Sequence, residues 1–149
     1  MALIEFAIVL PVLLLILFGI LYFATFLNYS TDETHLATEA VRYAAVNNNP
    51  SSSQTLQAYM ASQASPGLQS TSSMVTNAVK VYVYYPTGSS GAQGTSVRAC
   101  VTATVAFLPY LGFGSTTIAQ TATMRVEQAA SNWSTTNNPS SVPAQCPSS

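Results

Sequence analysis

MALIEFAIVLPVLLLILFGILYF (1–23) decides the architecture of this chain. Leu, Ile, Val and Phe dominate it, and its one charged side chain is Glu5. As a helix rising about 1.5 Å per residue, Ala2 to Phe23 spans roughly 33 Å, enough to cross a bilayer core of about 30 Å. Pro11 and Gly19 are tolerable in a membrane helix, where neighbouring groups satisfy a disturbed backbone. A cleaved signal peptide is the competing reading and fits poorly. The run is too long for such a core, nothing basic precedes it, and no small-residue cleavage site ends it. The stretch is expected to stay in the mature protein as a single membrane pass.

A membrane helix is normally oriented by Lys or Arg at its cytoplasmic end, yet the first basic residue here is Arg42. Removal of a basic leader explains this, and Met1 is then the first residue of a processed chain. Insertion without the usual cue is the alternative. Glu5 has two readings of its own. A carboxylate costs little in the headgroup region at a helix end, whereas in hydrocarbon it needs a partner. No Lys or Arg of its own helix reaches it. An α-amino group at Met1 of a neighbouring, staggered helix does, which suits a self-assembling bundle.

Downstream, helical spacing continues. Leu36, Ala40, Tyr43 and Ala44 fall on one side of a cylinder that has no Gly or Pro between Asn28 and Val46. One continuous helix over 2–46 is expected, apolar first and amphipathic second; a break near Ser30, capped by Ser or Thr, is the alternative. NNNPSSS (47–53) stops it. A short helix is expected from Ser53 to Ala64 with Leu56, Tyr59 and Met60 buried, ended by Pro66 and Gly67. Period-two alternation then marks strands at 74–86, 97–109 and 116–128. Val79, Val81 and Val83 face one side of the first, opposite Lys80, Tyr82 and Tyr84. The expected fold class is α+β: a long N-terminal helix on a small antiparallel meander of three strands. Its parts are an assembly or transmembrane helix (1–46), a globular head (47–130) and a Ser/Asn/Pro-rich tail (131–149). The tail lacks periodicity and reads as disordered, unless its Cys146 pairs with the one other cysteine, Cys100, as two thiols leaving the cytoplasm can. Two unrelated thiols are the alternative.

Composition narrows function. Charged residues are 6% of the 149, net charge is −1, and mean hydropathy is +0.29; ordinary soluble proteins carry about 25%. Lys80, Arg98 and Arg125 are scattered and form no basic patch, so no nucleic-acid partner is expected. No nucleophile–base set, P-loop or C-x-x-C is visible, so the chain reads as no enzyme and needs no cofactor. His35 and Glu39 stand four apart on the helix, but two ligands make no metal site, and with Asp32 and Glu33 they read as a solvated face. Sequons begin at Asn28 and Asn132, of which only Asn132 lies where exposure, and hence glycosylation, is expected.

These residues resemble a known class. A processed start with Glu5, an apolar run and an amphipathic extension resemble the type IV pilins, in which a prepilin peptidase removes a short basic leader. Within that class IEFAIVLPVLLLILFGILYF, with its EFA start and Pro11, is similar to the TadE-like pilins of tight-adherence systems. ATEAVRYAA (37–45) resembles the segment after their membrane helix. VTATVAFLPYLGFGSTTIAQTATMRVE (101–127) resembles their late strand pair, ending in M-R-x-E at Met124, Arg125 and Glu127. The resemblance implies a pilin-like subunit of an extracellular filament serving surface attachment. Met1, Glu5, Phe6 and Pro11 would make subunit contacts in a central bundle. Other copies, the peptidase and an assembly platform are its partners, and the inner membrane its location before assembly. The alternatives are a minor pilin that primes or caps another filament, or a single-pass surface protein whose head binds a ligand.

Overall fold

The computed structural model describes residues 2–86, 91–106, 114–129 and 142–146. Helix α1 (Ala2–Ala45) runs unbroken from the apolar stretch into the head. No break occurs near Ser30 because the hydroxyls there serve a continuing helix. Thr31 donates to the Leu27 carbonyl at 2.9 Å, Thr34 to Ser30 at 2.8 Å and Thr38 to Thr34 at 2.8 Å. Ser30 itself accepts from Gln120 Nε2 at 3.0 Å. The stop lies just beyond Ala45. Asn47 takes φ 51, its N–H reaches Ala44 O at 3.2 Å, and the Asn48 N–H reaches Tyr43 O at 2.9 Å. This paired closure needs a left-handed residue, and Asn tolerates that conformation better than most.

Helix α2 (Leu56–Ser62) is shorter than the expected 53–64. The Ser51 hydroxyl accepts from Ser53 and Gln54 N–H groups in a turn, so Thr55 becomes the cap, accepting from Ala58 N at 3.3 Å. Pro66 and Gly67 do not end the helical region but begin another turn, α3 (Pro66–Gln69). Proline at the first helical position loses no bond, and the Ser65 N–H before it is held by Asp32 Oδ2 at 2.9 Å. A Cβ on Gly67 would stand 2.7 Å from the Tyr29 hydroxyl, so glycine lets α3 press onto α1.

Strands β1 (Val75–Tyr84), β2 (Ser96–Ala106) and β3 (Ser115–Arg125) form an antiparallel sheet in the order β1-β2-β3, the expected meander. Two register shifts interrupt β1–β2 before Lys80, whereas β2–β3 pairs continuously from Ser96↔Arg125 to Ala106↔Ser115. β3 ends at Arg125, short of the expected 128, because the chain turns into the end of α1. Glu127 and Gln128 N–H groups both donate to Ala45 O, at 2.8 and 3.2 Å. The last expected residues of β2, 107–109, lie outside the described residues.

One face of the sheet packs on α1, α2 and α3. Leu36, Ala37, Ala40, Val41 and Ala44 meet Val81, Val83, Val97, Ala99 and Val101, with Leu56, Met60 and Leu68 closing the side. Alanines along the helix stripe let its backbone approach the sheet closely. The far face carries a second, smaller cluster of Tyr84, Cys100 and Cys146 with Tyr82 and Val142 against it. Cys100 and Cys146 are joined by a disulfide, with Cα atoms 6.0 Å apart. The bond holds 142–146 over the face that alternation assigned to Tyr82 and Tyr84, and Tyr84 is consequently buried.

Candidate functional site

The first half of α1 stands apart from this core. Every Leu, Ile, Val and Phe side chain from Ile4 to Phe23 is exposed, with Ile4 at 68% and Ile8 at 69%. None of the core-cluster residues comes from this stretch. A soluble chain does not leave such a surface open, since burying each side chain of this size is worth about 1.5–3 kcal/mol. The helix is long and apolar enough to cross a membrane, and an apolar helix all round belongs in lipid or among other helices.

Glu5 lies in the first turn of α1, exposed beside Phe6. Two physical effects favour an anion there: the partial positive charge of the helix N-terminus and the unbonded N–H groups of the first turn. Pro11 lies inside the helix. Lacking an N–H, it leaves the Ala7 carbonyl without its usual donor and so weakens the helix within the apolar segment. Met1 and Asn132 lie outside the described residues. His35 and Glu39 are both exposed on α1, and among the described residues no three His, Cys, Asp or Glu side chains gather as metal ligands would.

Glu33 was expected on a solvated face with them, and this needs correction. It is fully buried, and among the described residues neither carboxylate oxygen has a hydrogen-bond partner. Burial first, and the neighbouring Asp32 charge second, push its pKa up to about 8. Glu33 precedes Ala37 by one turn and Ala40 by two, so helical spacing already placed it on the core stripe. Its acidity argued against the position that its spacing specified.

At the other end of α1, Met124, Arg125 and Glu127 meet Glu39, Arg42 and Val46 around an open cleft of about 530 Å³. No local sequence pattern links the 39–46 group to the 124–127 group; the bonds from 127 and 128 to Ala45 bring them together.

Compared with known proteins, the chain matches no curated protein and no solved structure. One family does match: residues 1–45 fit the model described as TadE-like protein. The match takes in Glu5, Pro11, the apolar half of α1 and its head-facing half, so the long helix is TadE-like over its whole length.

Proposed function

We propose that this chain is a non-catalytic structural subunit of an extracellular, type IV pilus-like filament of the tight-adherence kind, serving surface attachment. The observation that carries the reading is an apolar half-helix, TadE-like in sequence, that finds no cover among the described residues. Held first in the inner membrane, the helices of many copies then pack into a central bundle. Phe6 and its apolar neighbours fill the contacts, and Pro11 softens the helix where it bends between copies. A prepilin peptidase and an assembly platform act before and during that transfer. The head forms the outer wall.

Glu5 fixes axial register by pairing with the Met1 amine of a neighbouring copy, since a buried acid tolerates few alternatives to its cation. Mass spectrometry of filaments sheared from cells tests the reading. The chain is expected as a principal component. A trace amount would make it a priming or capping subunit, and retention in the membrane fraction would make it an anchored surface protein. Glu5→Gln keeps the size of the side chain and removes its charge. Membrane insertion is expected to be unchanged while sheared filament falls about tenfold or more, as loss of one well-placed ionic contact per subunit implies. Wild-type filament yield from Glu5→Gln cells would refute the register role.

A further inference from the structure

We propose that the cleft between the end of α1 and the end of β3 docks a short segment of a different protein, one carrying both an acidic and a basic side chain. The proposal is independent of the filament reading. Of four basic and five acidic residues in the chain, two of each line this cleft: Arg42, Arg125, Glu39 and Glu127. Elsewhere the surface is solvated by Ser, Thr, Asn and Gln, so charge is concentrated here and not needed here for solubility.

The four charges are not spent on one another. Among the described residues the side chains of Glu39, Arg42 and Glu127 make no hydrogen bond or ion pair with one another or with Arg125. Arg125 uses its Nε to hold Gly94 O at 2.9 Å, which fixes the guanidinium and leaves its terminal nitrogens for another acceptor. Anchored arginines in an open cleft bind carboxylates well, and the two glutamates repel a purely anionic guest. The cleft volume of about 530 Å³ falls within the range of about 300–1,000 Å³ usual for binding sites. Its apolar wall includes Val46 at 44% and Met124 at 37% exposed. Tyr43, half-buried against the core, lines the cleft beside them.

Outside its own cleft a second copy offers no such guest, and dimerisation of the chain that Arg42→Ala abolishes would overturn the proposal in favour of cleft-to-cleft pairing. Among the copy's remaining charges Glu33 is buried, Asp32 holds the Ser65 N–H, and Arg98 Nε is bonded to Thr123. Glu5 belongs to the apolar segment and Lys80 stands alone on β1. No segment of this chain outside the cleft carries both signs within a few residues. The site is also reachable: Arg42 lies roughly 30 Å along α1 from Phe23 at about 1.5 Å per residue, clear of the membrane plane.

The test immobilises the full chain in detergent and offers it four synthetic pools of random octapeptides: one Asp with one Lys, two Asp, two Lys, and uncharged. Retained peptide is read by mass spectrometry at low and high salt. The mixed-charge pool is expected to be retained about tenfold above the others, with the difference screened at high salt. Arg42→Ala and Glu39→Ala, both exposed helix positions, should remove that preference without changing the thermal unfolding of the chain. Equal retention of all pools, preference for a single-sign pool, or a mixed-pool preference that survives both substitutions would overturn the proposal. Stronger retention of an oligouronate than of the mixed pool would overturn its peptide assignment.

Discussion

Stability of the head is expected to fall as pH rises from about 4.5 to about 8, and Glu33→Gln should flatten that slope. In the unfolded chain Glu33 ionises near its ordinary value, whereas in the folded chain burial and Asp32 hold the proton up to about 8. Between those values the native state binds the extra proton, so unfolding releases it and raising pH favours unfolding. At about 1.36 kcal/mol per pH unit, the window is worth on the order of 5 kcal/mol. That is a large share of a typical total of about 5–15 kcal/mol. Tyr85 does not confuse the reading, because burial raises its phenol and moves its titration further above 10. Thermal unfolding of the detergent-solubilised chain at pH 5, 7 and 9, followed by circular dichroism, measures the effect. Glu33→Gln should be more stable than wild type at pH 9 and show little change across the series. A wild-type slope retained in Glu33→Gln would place the proton elsewhere.

Why an acid occupies that position is tied to what the sequence makes legible. The Leu36, Ala40 and Ala44 spacing marked the packed face of α1 correctly, and the same spacing includes Glu33. Residue type and helical phase disagreed, and phase prevailed because the surrounding contacts of Leu36, Ala37 and Ala40 hold the helix in one rotation. Pro66 misled for the opposite reason. It was read as a terminator, but Asp32, distant in sequence, satisfies the Ser65 N–H and lets a new turn begin. The three strands were legible because their apolar/polar alternation is a local signal in the sequence. Their ends were not, since the close of β3 depends on Ala45 accepting two bonds from the chain beyond it. The candidate sites divide likewise. Glu5 and the apolar run are one contiguous signal in residues 1–23. The charged cleft draws on positions 39–46 and 124–127, which only the packing of α1 beside β3 brings together.

Loss of the Cys100–Cys146 bond is expected to cost about as much as the proton on Glu33. The bridge spans a sequence separation of 46 residues, and closing a loop of that length restricts the unfolded chain by about 4 kcal/mol in the chain-entropy account. Among the described residues the native state loses little backbone pairing with it, because there Cys146 is held by the bond and by one turn contact, its N–H to Pro143 O at 2.8 Å. What changes is cover. Once 142–146 can leave, Tyr84 and the central strand at Cys100 meet water on a face the helices do not reach. Cys146→Ser should therefore lower the unfolding midpoint by roughly 15–30 °C for a head of this size. Wild-type protein treated with reductant should fall to the same midpoint, and reductant should have no further effect on Cys146→Ser. Agreement between the two assigns the loss to the bond, since the serine hydroxyl and the reduced thiol differ in polarity but share the freed loop. A midpoint within a few degrees of oxidised wild type in both would show that helix α1, and not the tail, carries the sheet alone.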